Sequence, residues 1–559
     1  MYDWANSGFA TSGGAAIFPV YFVLLFKSAM GDEANFFGFS LTGSSMWSLG
    51  IALSTAIVAV TSPVLGIIAD RVAIKKTLLW VYTAAGSIFT VLAFFSAYTS
   101  QPWIWLWGTF FLGNIGFAGA LVFYNAFLPH IVPRELYDDV SSRGFAYGYV
   151  GGGLLLAVHL VLIMAFTGTA IEDLITRVCI GSIGIWWFGW AIWTFRTVPE
   201  PAISNPVSGL NPRTASVLAL RELGRTLRQL ARFKVLVIYL GAYLLFNDGI
   251  QTVMAVAGAF AADTLGVSLV FNMLTILIIQ FIAAPGALVF AWLAAKTDTK
   301  FALTGALLGW CVAVLFGVGI APLVPNGHSD FDYQFAYDQV AESYLVESAP
   351  ALSDSDLQHE IYVTFDELSN GDVLMVDQVE ELTSYLKNSE SARFSFSIVG
   401  GPFEGAQGIG SAHPSFLGEG AVDWWPATLR SALWSPLGLS SNFQWLILGS
   451  IVGVVMGGSQ ALARSLFAQM TPMSRSGEFF SFFGFMSRAS ALIGPMVYLL
   501  ITGFFDTRLA ILTILIIIVL GTVALKWVDV QSGQRTAELE DAQNLGVVGT
   551  PAPSLTLEN

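Results

Sequence analysis

The sequence predicts an all-α polytopic membrane protein: twelve transmembrane helices in two six-helix halves, with a small α+β insert on the extracytoplasmic side. Three observations carry this. Of 559 residues, 55% are hydrophobic and only 11% charged, against about 25% charged in soluble domains. Twelve apolar runs are long enough to cross a hydrocarbon core about 30 Å thick, which takes roughly 20 helical residues. The acidity is confined to one stretch. Residues 324–440 hold 18 Asp and Glu against three Lys and Arg, whereas the rest has 21 acids and 22 bases.

The first six runs lie near 7–27, 46–69, 78–98, 103–127, 145–167 and 175–195. The second six lie near 235–261, 268–294, 302–323, 442–463, 481–503 and 509–527. This divides the chain into a first half (1–198), a linker (199–233), helices seven to nine (234–323), the insert (324–440), helices ten to twelve (441–527) and a tail (528–559). Lys and Arg gather in alternate connections. With the N-terminus inside, 18 of the 25 fall on the cytoplasmic side and six outside. The positive-inside rule then puts both termini in the cytoplasm and the insert outside, and the cell (inner) membrane is the expected location. A cleaved signal peptide is not expected, because the first run is long and lacks a basic leading region. The chain starts abruptly, with Asp3 and Trp4 at the edge of that run, as if a few residues preceded it.

The linker is polar and proline-rich, and its later part, "SVLALRELGRTLRQLARF", has apolar residues at helical spacing beside a basic face. That suits either a helix on an anionic leaflet or a solvated connector. In the insert, "HEIYVTFDEL" and "ARFSFSIVGG" alternate as strands, and "VDQVEELTSYLKNS" repeats as a helix. Trp424, Trp425 and Trp434 near its end read as interface anchors.

Polar residues inside the runs are costly in lipid and so point to function. Run seven carries Asn247, Asp248, Gly249, Gln251 and Thr252 at its middle. Asn-Asp-Gly is a turn signal, and a helix broken at midplane frees backbone groups for a solute. Asp248 is expected to face a central cavity; the alternative is a buried structural acid. Run one, its counterpart, opens with Asp3 and Asn6. Arg488 is the base well inside a run, a candidate partner for an acid or clamp for a carboxylate. Arg143 is either a second such clamp or a plain positive-inside residue. Tyr124 and Asn125 complete the candidate solute or coupling set, with Tyr147 and Tyr149 as aromatic walls. Glu478, near Arg475 and Arg464, reads as a solvated loop acid or a gate.

Two sets of motifs identify a family. After run two, "GIIADRVAIKK" places Gly66, Asp70, Arg71, Lys75 and Lys76. This resembles the signature loop of the major facilitator superfamily, in which the Gly allows close helix contact and the Asp sits at a helix terminus across the halves. Ala73 and Ile74 depart from that pattern. The matching loop after run eight, "WLAAKTDTKFA", resembles a degraded copy, with Ala295 at the Asp position and Asp298 as a partial replacement. The blocks "YDWANSGFATSGGAAIFPVYF", "FYNAFLPHIV", "VSSRGFAYGYVGGGLLL", "FNDGIQTV" and "SRSGEFFSFFGFMSRASALIGP" are together similar to the branch that includes the vacuolar amino-acid effluxers linked to autophagy, and their bacterial relatives. The resemblance implies a major facilitator fold and movement of a small solute across the bilayer. The insert departs from the usual pattern.

The function expected is therefore secondary active transport by alternating access, coupled to an ion or proton. A membrane-anchored receptor or scaffold, with the acidic insert as its binding domain, is the alternative. The partners expected are a small-molecule solute and the lipid bilayer, with no nucleic acid, for a monomer. No nucleophile constellation, phosphate loop or Walker motif is present in the sequence, and the histidines show no metal spacing, so ATP-driven transport is not expected, nor an enzyme activity or a cofactor. Cys179 and Cys311 both lie in runs and imply no disulfide.

Overall fold

The computed structural model describes the chain apart from residues 31–32, 37–38, 167–168, 203–232, 264, 266, 268, 351–367, 390–391, 412, 418–419, 491–493, 495–496, 499–500, 502–506 and 545–559. Long helices dominate, because backbone polar groups in hydrocarbon must be satisfied within their own segment. The first half contains α1 (Tyr2–Met30), α2 (Gly43–Arg71), α3 (Lys75–Leu92), α4 (Pro102–Ala126), α5 (Tyr137–Phe166) and α6 (Glu172–Thr197). The second contains α7 (Lys234–Asp263), α8 (Leu269–Lys296), α9 (Thr299–Val318), α10 (Ser441–Gln469), α11 (Ser476–Ala489) and α12 (Thr507–Ala524). Among the described residues, 11 helices are long and apolar enough to span a membrane. The predicted run at 481–503 begins as α11, and much of its remainder lies outside the described residues.

Each half has its own core. Phe9, Phe18, Trp47, Phe110 and Trp187 centre the first. Tyr239, Phe246, Trp310, Phe467 and Phe483 centre the second.

Two helices extend past their predicted limits. α5 starts at Tyr137, not 145, and α10 reaches Gln469, not 463. The added ends are polar in sequence, yet Ser141, Ser142, Arg464 and Ser465 are buried. Ser141 and Arg464 bond to each other across the halves, where a hydropathy reading expects water.

The break expected at Asn247-Asp248-Gly249 is absent, and α7 is continuous there. Gly249 serves packing instead, since a Cβ would collide with Ile518 of α12. The irregularity lies in α1, where Phe9–Ile17 form a π-helical segment. Such segments are uncommon and gather at functional sites.

Beyond α1 a short hairpin pairs β1 (Glu33–Phe36) with β2 (Phe39–Thr42). The insert is an α+β unit, as expected. Strands β3 (Tyr333–Asp338), β4 (Ser343–Ser348), β5 (Val373–Leu374), β6 (Ser395–Val399) and β7 (Gln407–Ile409) form one sheet in the order β5-β4-β3-β6-β7. β3 runs antiparallel to β4 and parallel to β6. Phe335, Val346, Phe396 and Ile398 pack with Val379, Leu382 and Leu386 of the helix Val376–Asn388. The predicted strand "HEIYVTFDEL" and the linker helix fall almost entirely outside the described residues.

The insert is seated on the end of α9. The Trp425 and Trp434 indoles donate to Leu315 O and Gly319 O, and Arg508 donates to Val318 O and Ile320 O at 2.7 Å. These donors satisfy carbonyls that a helix terminus leaves open. Trp434 is thus a core side chain, not an interface anchor, at 1% exposure. The tail continues as α13 (Val530–Asn544), which was not read from the sequence.

Candidate functional site

At one end of the bundle the halves are joined around Asp70. Its carboxylate accepts from the Gly477 and Glu478 amides at 3.0 and 2.9 Å. These are the first free N–H groups of α11, where a negative charge is favoured by the helix dipole. Lys75 lies 2.7 Å from Asp70 Oδ1 and donates to Ser476 Oγ at 2.7 Å. The backbones can approach this closely because Gly66 and Gly477 face each other, where any Cβ on Gly66 would overlap Gly477 O. Ser481 adds a bond to Ser62 O at 2.9 Å.

Deeper in the same seam is a second cluster. Arg464 of α10 reaches into the first half. It donates to Ser141 Oγ and Ser141 O at 2.9 and 2.8 Å and to Asn125 Oδ1 at 3.3 Å. Its guanidinium lies 3.7 Å from Asp3 Oδ1 and 4.4 Å from the Phe145 ring centroid. Tyr124 donates to Asp3 Oδ2. Asp3 has room because Gly144 and Gly148 of α5 present no side chain to it. The expected candidates Asp3, Tyr124 and Asn125 therefore meet, around an arginine that the sequence reading had assigned to a cytoplasmic loop. A signal existed: Arg464 stands eight residues before Pro472, as Asn125 does before Pro133, so the two occupy matching positions in the halves.

A third layer comes from α13. Asp541 accepts from the Met473 and Ser474 amides at 2.8 and 2.9 Å. Glu540 pairs with Arg475 at 3.1 Å, and Glu538 with Arg134 of the first half at 2.6 Å. Burial disfavours the Arg475 charge, but Glu478 and Glu540 outweigh it and hold the guanidinium above its ordinary range. Glu478 is buried and bonded to Arg475 at 2.8 Å, so it is not a solvated loop acid.

The polar face of α7 lies within the second half. Asn247 donates to Ser490 Oγ at 2.6 Å and accepts from Gln460 at 3.4 Å, linking α7 to α10 and α11. Asp248 is 1% exposed and faces Gly494, where a Cβ would stand 3.0 Å from Oδ2. Gln251 is half-buried, and Asn6 is buried on α1. Arg488 lies on α11 with its side chain outside the described residues. Arg143 does not enter the seam: its side chain is 64% exposed and pairs with Asp139 on its own helix at 2.8 Å. Tyr147 likewise points outward. Arg71 ends α2 beside the lock. Asp298 does not replace the missing acid of the second loop, because it caps its own helix by accepting from Phe301 N at 2.8 Å.

A model of the family described as "Vacuole effluxer Atg22 like" matches residues 1–347 and 422–538. The chain belongs to the Atg22-like family. The unmatched stretch, 348–421, falls inside the insert. The chain is 29% identical over 303 residues to the uncharacterized MFS-type transporter YxiO of Bacillus subtilis, covering 54% of this chain and 67% of that one. It is 22% identical over 408 residues to autophagy-related protein 22-1 of Aspergillus niger, covering 72% of this chain and 49% of the relative. The chain thus spans about half the length of such fungal relatives. Among solved structures it is similar to the proton:xylose symporter XylE (TM-score 0.57, 13% identity, 96% of each chain). It is also similar to FucP in the outward conformation (TM-score 0.55, 8% identity, 94% of this chain and 97% of that one). The fold is that of the major facilitator superfamily, and this Atg22-like protein is a multi-pass membrane protein.

Proposed function

We propose that the chain carries a small solute, with an amino acid as the first candidate class, by alternating access, and that a proton or other ion is coupled to the movement. The observation that carries this is the seam itself. Asp70, Lys75, Asp3 and Arg464 each bond across the halves, and all of these bonds lie at one end. Such bonds form in one arrangement and break in the other, which rocking halves require. The Lys and Arg distribution supports a cytoplasmic place for that end, and on this reading the arrangement is closed to the cytoplasm, in the cell membrane. Asp248, Asn247 and Gln251 on α7, with Arg488 on α11, form the solute or coupling face. Asp3, Tyr124, Asn125 and Arg464 form the gate beneath it. A receptor that only anchors its insert has no use for charged groups buried across a seam.

The test uses proteoliposomes containing the full chain and labelled amino acids. Wild type should accumulate at least one of them when a proton gradient is imposed. Asp248→Asn should abolish gradient-driven accumulation and retain solute exchange. Undiminished pH-dependent accumulation by the variant would remove the coupling role, and absence of any flux across a broad solute panel would remove amino acids as the class.

A further inference from the structure

The flank of the molecule carries a concave site that the transport reading leaves unused. Between α5 of the first half and α8 of the second runs a groove of about 740 Å³. Ala146, Val150, Ala284 and Ala291 make a low apolar floor, and Leu288 and Trp292 form its wall. The helix surfaces around it present large side chains outward, such as Leu154, Val158 and Val161. On a membrane-spanning helix those side chains face acyl chains, so the medium filling the groove is lipid.

One end of the groove is charged with both signs. Glu135, Asp138, Asp139 and Arg143 line it. Lys296, one turn beyond Trp292, holds its ammonium 4.1 Å from the centroid of that ring. Arg143 and Asp139 pair with each other, but both are well exposed, and such pairs open readily. Basic pockets between spanning helices recognise anionic headgroups. Here the mixture of signs selects among headgroups. A purely anionic one would meet three carboxylates. A quaternary ammonium has no hydrogen to donate to them. A primary ammonium donates to carboxylates while its phosphate accepts from the arginine fork.

We propose that this groove binds a glycerophospholipid with a primary-ammonium headgroup, phosphatidylethanolamine in kind. An acyl chain lies on the alanine floor against Trp292, the phosphate meets Arg143, and the ammonium meets Asp139 and Glu135. The walls belong to different halves, so the groove has this shape in one arrangement of the halves, and a lipid that fits it favours that arrangement.

The test uses the full chain purified in detergent and depleted of lipid. Phosphatidylethanolamine, phosphatidylcholine and phosphatidylglycerol with identical acyl chains are added singly, and retention is read by native mass spectrometry beside the thermal midpoint. Phosphatidylethanolamine should be retained at least severalfold more than either of the others. Asp139→Asn, an exposed change that should not disturb folding, should erase the preference over phosphatidylcholine. Ala291→Trp should fill the floor and remove retention in monodisperse protein. Equal retention of the ethanolamine and choline lipids would overturn the proposal. So would stronger retention of phosphatidylglycerol, or unchanged ethanolamine-lipid binding by both variants.

Discussion

Asp70→Asn tests the lock most directly. The Asp70 carboxylate is 5% exposed and holds two amides of α11 at 3.0 and 2.9 Å beside Lys75. Asn keeps one carbonyl oxygen and turns an NH₂ toward an amide that needs an acceptor. Hydrogen bonds to charged groups contribute about 1.5–3 kcal/mol each, and a buried donor left unmade costs about 1–3 kcal/mol. Lys75 keeps its bond to Ser476, which offsets part of the loss. A net cost of about 2–3 kcal/mol follows, and at ~1.4 kcal/mol per tenfold this is a shift of about 30- to 150-fold. The bonds cross the halves, so the cost acts on this closed arrangement and not on one in which the halves have parted. The readout is alkylation of a cysteine at Ser62, a buried position lining a small void between α2, α4 and α11. Cys179 and Cys311 are buried and serve as the background. Asp70→Asn should raise the rate at this site by tens of fold in folded protein. An unchanged rate, with an unchanged thermal midpoint, would refute the lock.

Ending the chain after Asp529 removes α13 with Glu538, Glu540 and Asp541. The same alkylation should rise by less than tenfold, because Glu538 is mostly exposed and such pairs contribute about 0.2–1 kcal/mol; no change at low salt would rule out a tie. In the insert, burial pushes the Asp332 carboxyl up, but hydrogen bonds from His413 and Ser395 outweigh this and hold it below its ordinary value. A depressed acid stabilises the fold above its unfolded pKa of about 3.9 and loses that contribution as pH falls through the folded value. Hydrogen exchange at β6 in the full chain should therefore accelerate below about pH 4, and Asp332→Ala should show the faster exchange already at neutral pH. A cysteine at Ser389 should react with an impermeant maleimide on cells whose outer barrier is opened, and one at Ser208 should not. The reverse pattern would invert the topology.

The fold was legible because lipid leaves few options. Apolar length gives helices, and a charge imbalance marks the insert. Places where protein, not lipid, covers a polar residue were illegible. Arg464, Ser141 and Glu478 look solvated in sequence because hydropathy cannot tell a buried partner from water. Gly249 was read as a break, though its missing side chain admits Ile518. The irregular segment of α1 left only a weak trace in "FATSGGAAI". Strand β3 did alternate, with Tyr333, Phe335 and Tyr337 on one face, and was overlooked. Of the candidate residues, Asp3, Tyr124 and Asn125 meet around Arg464, a base that hydropathy leaves outside the runs.

The halves are copies in layout and unequal in fastening. The α2–α3 connection gives its acid to the other half, with two amide bonds and a lysine. In the α8–α9 connection, Asp298 turns back onto α9, and Lys296 lies over Trp292. What crosses there is a hydroxyl: Thr299 donates to Asp138 at 2.6 Å and accepts from Gln469 at 2.7 Å. One neutral donor on a carboxylate holds less than a carboxylate buried in two amides beside a cation. The seam beside α9 is thus the weaker one, and the halves should begin to part there while α2 and α11 still hold. The groove between α5 and α8 lies along this weaker seam, so a lipid seated in it would brace the contact that the degraded loop no longer secures.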